Sequence, residues 1–419
     1  MRFRSYSIKI ALLLLIMYVL IMYSLSFAVV RYDLIREGTQ LAFEIIGREE
    51  GLSNLSVSSI VQDVNGFIWF GTQGGLNRYD GRGFKIYAND PFNSNTLVHN
   101  LIQTLFYDPE KNQIWIGTYQ GLSRFDIDSE TFTNYTVEQN GLSNPVVVAI
   151  DKDDAGNLWI GTLDGLNRLN PDTGENTVFD VPGKVIRDIY WDSEGKMWLG
   201  SYSGLLYFDF DEMAVKTADY KLPGLSVMTI AEKTPGILTL GIWDEGIVRL
   251  DLKTGNQYIN QFSDNRIYTY TITSDMTEWI GTWGGGLIAI TAEGVRHQFE
   301  SSGKLGGLSH NIVYSLFQDD TGMLWVGTNG GGACKVNPLK RNYVQYAHDS
   351  EDANSIDQGK INSIIRDNEG NLWIAVYNEG LNRIDAEGVV HKYKANSNLS
   401  GALTDTNIID MKLDTIDGC

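Results

Sequence analysis

One unit recurs eight times along this chain and constrains its fold more than any other feature. The clearest copy is Asn65-Gly-Phe-Ile-Trp-Phe-Gly-Thr-Gln-Gly-Gly-Leu-Asn-Arg-Tyr-Asp80. It returns as Gln113-Ile-Trp-Ile-Gly-Thr-Tyr-Gln-Gly-Leu-Ser-Arg-Phe-Asp126 and as Gly156-Asn-Leu-Trp-Ile-Gly-Thr-Leu-Asp-Gly-Leu-Asn-Arg-Leu169. Its central tryptophan is Trp69, Trp115, Trp159, Trp198, Trp279, Trp325 and Trp373, and in the fifth copy Thr239 stands in that place. Successive anchors lie 46, 44, 39, 41, 40, 46 and 48 residues apart. A period of about 40–50 residues without helical patterning is that of a propeller blade.

Each unit reads as four strands. In the first copy these are Val57–Gln62, Phe67–Thr72, Leu76–Tyr79 and Phe84–Tyr87, rich in Val, Ile, Phe and Trp and separated by Gly, Asn and Asp turns. The turn before each tryptophan calls for a residue with positive φ, supplied by Gly66, Gly156, Gly195, Gly322 and Gly370. A four-stranded blade cannot bury both faces alone. Radial stacking into a ring does so and removes the open edges. The expected class is therefore an all-β propeller of four-stranded blades, with the seven tryptophans as structural anchors between blades. Periodicity alone leaves seven or eight blades per ring open.

The N-terminus has a different character. Arg2, Arg4 and Lys9 precede an uncharged run from Ile10 to Val30, with small residues at Ser26 and Ala28. This predicts a secretory signal peptide over residues 1–28, or an uncleaved membrane anchor, since the run is about long enough to span a bilayer. Both place Arg31 onward outside the cytoplasm. The net charge of −19 argues against a nucleic-acid partner, which would need a basic face. Cys334 and Cys419 show no pairing motif or metal spacing, so no metal site and no cofactor are expected. At the other end, Thr406–Gly418 matches the start of a further copy, so the chain is expected to be a fragment or an interrupted product of a longer one.

The unit and its lead-ins, Gly51-Leu-Ser-Asn54, Gly141-Leu-Ser-Asn144 and Gly307-Leu-Ser-His310, resemble the two-component regulator propeller repeats over residues 41–419. The fifth copy, without tryptophan, and the seventh, with Ala333-Cys-Lys in place of Leu-Asn-Arg, depart from the pattern. The resemblance implies a seven-bladed propeller over 41–341 and the start of a second over 342–419. It implies the periplasmic sensor region of an inner-membrane receptor, with a histidine kinase or diguanylate cyclase effector elsewhere. It further implies a homodimer in the intact receptor, and as partner a small-molecule or oligosaccharide signal, or a periplasmic protein.

No Gly-rich phosphate loop, kinase phospho-acceptor box or Gly-x-Ser-x-Gly elbow occurs, and the five histidines show no paired spacing. Asp-x-Gly-x-x-Trp at Asp154–Trp159 and Asp320–Trp325 looks like a structural sialidase turn and carries no catalytic residue across. No catalytic residue is expected, and a secreted propeller lyase or sialidase-like enzyme is the alternative. The candidate site comes from the residue four places after each anchor: Gln73, Tyr119, Leu163, Tyr202, Trp243, Trp283, Asn329 and Tyr377. Tyr119, Tyr202, Trp243, Trp283 and Tyr377 are aromatic in a turn where packing does not demand it. They are the candidate ligand-binding residues, able to stack on sugar rings or other flat ligands. The competing reading is that each caps its neighbouring blade.

Overall fold

Hydrophobic alternation and tight turns fold each copy of the repeat into an antiparallel sheet. In the first, Val57–Gln62, Ile68–Thr72, Gly75–Tyr79 and Phe84–Tyr87 pair in sequence order, with Trp69 opposite Val61 on one side and Arg78 on the other. The computed structural model describes residues 41–301, 303, 306–338, 346–350, 352–385, 388–395 and 402–413. It is all-β, with eight four-stranded sheets and a single helical turn at Val137–Asn140. The segment expected to be a signal or anchor lies outside the described residues. Among those residues no helix is long and apolar enough to cross a membrane.

The residues within 41–340 form one unit of seven sheets, called blades 1 to 7 in chain order. Their inner strands are Val57–Gln62, Ile102–Asp108, Val147–Lys152, Ile186–Trp191, Val227–Thr234, Ile267–Ile272 and Val313–Gln318. Each begins with Val or Ile, which packs against the Gly of the Gly-Thr, Gly-Ser or, in blade 5, Gly-Ile pair of the preceding blade. A Cβ on Gly71 would stand 2.6 Å from Ile102 Cγ2, so the blades close at this distance only because the residue is Gly. The same contact joins the last blade to the first, where a Cβ on Gly327 would meet Val57. Ser56 Oγ to Asn329 Oδ1 (3.1 Å), Gln62 Nε2 to Asp320 Oδ1 (2.8 Å) and the packed rings of Phe70 and Trp325 complete the seam. The ring has seven blades.

Blade 7 corrects the expectation of four consecutive strands in every copy. Its own chain supplies three, Val313–Gln318, Leu324–Thr328 and Ala333–Val336. The outermost is Glu44–Ile46 from the N-terminal end, pairing Glu44 with Lys335, Ile45 with Cys334 and Ile46 with Ala333. Ring closure thus uses residues that carry no repeat motif.

The anchors of blades 1, 2, 3, 4, 6 and 7 are buried between blades, Trp69 and Trp159 fully so. In blades 1, 3, 4, 6 and 7 the indole N–H is bound by the first residue of the preceding turn. Asp63, Asp153, Asp192 and Asp319 accept it at 2.7–3.1 Å, and Thr273 Oγ1 does so for Trp279. The same Asp also accepts turn N–H groups, as Asp63 does from Asn65 and Phe67. The carboxylate beside Trp159 and Trp325 is therefore Asp153 or Asp319, one residue before the Asp of the sialidase-like motif. Asp320 instead serves the seam with blade 1.

The eighth sheet, Ile361–Arg366, Leu372–Val376, Gly380–Ile384 and Val390–Tyr393, belongs to a second unit. Asp367 holds Trp373 at 2.8 Å as in the ring, but that tryptophan is half-buried. Residues 406–411 lie along its inner strand, with Asn362 Nδ2 donating to Ile408 O and Met411 N to Ser363 Oγ. The second contact repeats the blade-to-blade bond from Leu105 N to Ser59 Oγ.

Candidate functional site

Two structural devices aim side chains at one mouth of the central channel. The first is the turn between second and third strands. The N–H of its leading residue bonds to the carbonyl just before the inner strand: Gln73 to Ser56, Tyr119 to Leu101, Trp243 to Ser226 and Trp283 to Arg266. Except in blade 5, where Ile242 stands there, the Thr or Ser before it closes the turn onto a Gly carbonyl, as Thr118 Oγ1 does to Gly121 O. That Gly has φ of 128° and its Cβ would strike Tyr135 O, so the turn admits no other residue without strain.

The second device is a β-bulge at the second residue of every inner strand. The ladder skips one residue between Val57 and Ser59, Ile102 and Thr104, Ile186 and Asp188, Ile267 and Thr269, and Val313 and Ser315. A bulge re-aims the unpaired side chain. It turns Ser58, Gln103, Arg187, Met228, Tyr268 and Tyr314 into the channel mouth.

Together these residues line a cavity of about 570 Å³. Of the five sequence-predicted residues, Tyr119, Tyr202, Trp243 and Trp283 line it. Tyr377 occupies the same turn of the eighth sheet, in the other unit, where its N–H bonds to Lys360 O and its ring is half exposed. The cavity has two unlike walls. Blades 5 to 7 contribute an aromatic one, with Trp283 5.4 Å from Trp243, 5.3 Å from Tyr268 and 5.5 Å from Tyr314 between ring centres. Blades 1 and 2 contribute Ser56, Ser58, Gln73 and Gln103 together with Leu101, Ile102 and Tyr119. Between the walls stands Arg187, its guanidinium 5.4 Å from the Tyr268 ring centre and 5.9 Å from that of Tyr202. Its Nη2 donates to Tyr268 Oη at 3.0 Å. Burial, with Tyr268 and Tyr119 adding to it, pushes the Tyr314 hydroxyl up to about 12, so it stays protonated. No group of three or more His, Cys, Asp or Glu that could hold a metal occurs among the described residues.

Arg187, Tyr268 and Tyr314 were not singled out by the sequence reading. Aligning the repeats exposes them. The residue after the invariant Val or Ile runs Ser58, Gln103, Val148, Arg187, Met228, Tyr268, Tyr314 and Asn362, a variable column beside a fixed one.

Five stretches, residues 51–74, 141–164, 180–203, 307–330 and 355–378, match the family model described as two component regulator propeller. The chain carries two-component regulator propeller repeats. Each matched stretch runs through an inner strand and the anchor tryptophan to the turn between second and third strands. A 71-residue segment, 17% of the chain, is 38% identical to histidine kinase P4 of Formosa agariphila, covering 5% of that protein. The extracellular domain of a hybrid two component system from B. thetaiotaomicron superposes with a TM-score of 0.72 at 24% identity, over 90% of this chain. A second such domain from B. thetaiotaomicron gives 0.60 at 21%, also over 90%. The chain spans about half the length of both. Virginiamycin B lyase from Staphylococcus aureus gives 0.55 at 14% identity, over 71% of this chain and 99% of the lyase. At these identities the solved structures share the propeller fold with this chain.

Proposed function

We propose that this chain is the ligand-sensing propeller region of a membrane-bound signal-transduction receptor of the two-component sensor kinase type. It would lie in the periplasm, attached to the inner membrane, with its effector outside this chain. The repeats, the sensor-kinase relative and the extracellular domains with the same fold support this reading. The aromatic cavity at the channel mouth carries the ligand-binding part of it. Its volume falls in the range of small-molecule sites, and its rings are packed against one another before any ligand arrives. The described lining combines aromatic rings with Ser and Gln side chains, a set suited to stacking and hydrogen bonding. The signal is a small molecule or oligosaccharide stacked on Trp243 and Trp283.

The test is a contrast between two kinds of tryptophan. Trp243→Ala and Trp283→Ala should each weaken binding about two- to tenfold, the equivalent of roughly 0.5–1.5 kcal/mol of stacking. Their melting temperatures should stay near that of the parent. Trp159→Ala, which empties an inter-blade site, should cost about 3–5 kcal/mol of stability. Calorimetric titration against an oligosaccharide panel, with thermal melts alongside, reads both. Channel-mouth variants that destabilise as much as Trp159→Ala would identify those rings as packing and remove the site.

A further inference from the structure

Among the described residues lining the cavity one side chain is charged, Arg187, and although the charge of the adjacent Asp188 acts on it, the two make no ion pair. Among the described residues no carboxylate lies within ion-pair distance of Arg187, and its Nε is buried without a hydrogen-bond partner. Elsewhere in this acidic chain Lys152 is paired with Asp108 and Glu110, and Arg249 and Lys233 with Glu278. An enclosed guanidinium flanked by two tyrosine rings loses hydration that π-contacts and a single phenol only partly replace. An arriving anion would restore what is missing. Arginine's planar fork suits a carboxylate, which it can meet with two parallel N–H donors.

We propose that the ligand is an acidic sugar, a uronate-containing oligosaccharide whose carboxylate pairs with Arg187. The inference rests on the reading of the channel mouth as the ligand site and names its chemistry. Each wall then has a task. Trp243 and Trp283 offer flat faces to the C–H side of a sugar ring. Gln73 and Gln103 offer amide donors and acceptors to its hydroxyls from across the cavity. Arg187, standing between the walls, fixes which ring carries the acid and which way the chain of sugars runs. A wholly neutral sugar would leave the guanidinium as it is.

The experiment compares trigalacturonate with its fully methyl-esterified form, the same rings without the charge, by calorimetric titration of the whole chain. The acid should bind at least about tenfold more tightly at low ionic strength, and the gap should narrow as salt rises. Arg187→Gln should shrink the preference for acid over ester below about twofold. If that variant melts markedly lower than the parent, Arg187→Lys replaces it. It keeps the charge, loses the fork, and should cut the preference about threefold or more. Equal affinity for acid and ester, both weakened by Trp283→Ala, would overturn the charge inference and leave the site standing. Acid binding indifferent to both Arg187→Gln and Trp283→Ala would overturn the site as well. Failure of galacturonate, glucuronate and mannuronate oligomers alike to bind would overturn the inference and leave the sensing role to a different signal.

Discussion

Asp151 and Asp188 are the two inner-strand side chains poised to change charge near neutral pH. Burial pushes Asp188 up to about 7, with the charge of Asp151 adding to it, and burial alone pushes Asp151 up to about 6. Asp188 has a structural task. Its Oδ2 accepts Ile230 N at 2.6 Å and so joins blade 4 to blade 5, as Ser59 Oγ joins blade 1 to blade 2. Both folded values lie above the ordinary 3.8, so between about pH 4 and 7 the folded chain binds more protons than the unfolded one. Stability from these groups therefore falls as pH rises through that window and is restored as pH is lowered. Asp151 accepts one hydrogen bond, from Lys152 N, which an amide oxygen can also accept. Asp151→Asn is expected to gain roughly 1–3 kcal/mol at pH 8 and nothing at pH 4. Melting temperature against pH for both proteins reads this directly. General charge repulsion acts alike in the two, so parallel curves would show that Asp151 carries no such penalty.

At the scale of the element, blade 5 shows how the fold absorbs a missing anchor. Thr239 sits opposite Arg249, in the register that Trp69 shares with Arg78. The space between blades 5 and 6 is filled by polar groups instead of an indole. Glu278, 3% exposed, stands where other copies have Ile, Leu or Met before the tryptophan. It accepts from Arg249 Nη2 (2.6 Å), Lys233 Nζ (3.0 Å) and Tyr270 Oη (2.8 Å). Burial pushes its carboxyl up, but Lys233, Tyr270 and Arg249 outweigh that and hold it below the usual range. Glu278→Gln should cost about 3–5 kcal/mol, because two cations stay enclosed without their anion. Denaturant midpoints measure it, and a loss under about 1 kcal/mol would mean that the pair relaxes into solvent. This element also marks how far the sequence could be read. The anchor, its turn and its strands are encoded within about 20 contiguous residues, so the repeat displays them. The Glu278 cluster joins residues from two blades and has no local pattern. The bulges likewise leave no mark in a single copy. That is why Trp243 and Trp283 stand out at a turn position within one copy, while Arg187, Tyr268 and Tyr314 emerge only when the copies are aligned column by column.

At the scale of the molecule, the ring closes through a segment that no repeat announces. Leu41 and Phe43 enter the core of blades 6 and 7 beside Trp279, Leu308 and Val313, and Ile46 packs with Trp325, Val57 and Phe70 at the seam to blade 1. Phe43 N also bonds to Gly306 O, and its ring meets Phe299 edge-on at 5.5 Å. Three paired residues are few, but without them the third strand of blade 7 becomes an open edge beside an uncovered core. In a closed ring such a loss is shared by every blade, because each depends on two neighbours for its buried faces. Phe43→Ala should therefore cost about 3–5 kcal/mol despite lying outside every repeat copy. A chain beginning at Arg48 lacks all three buried side chains and the strand itself. It should lose cooperative melting or self-associate through the freed edge, seen as a broadened transition and a larger mass by light scattering. A monomeric, sharply melting chain starting at Arg48 would show that six complete blades and a three-stranded seventh hold the ring without the N-terminal strand.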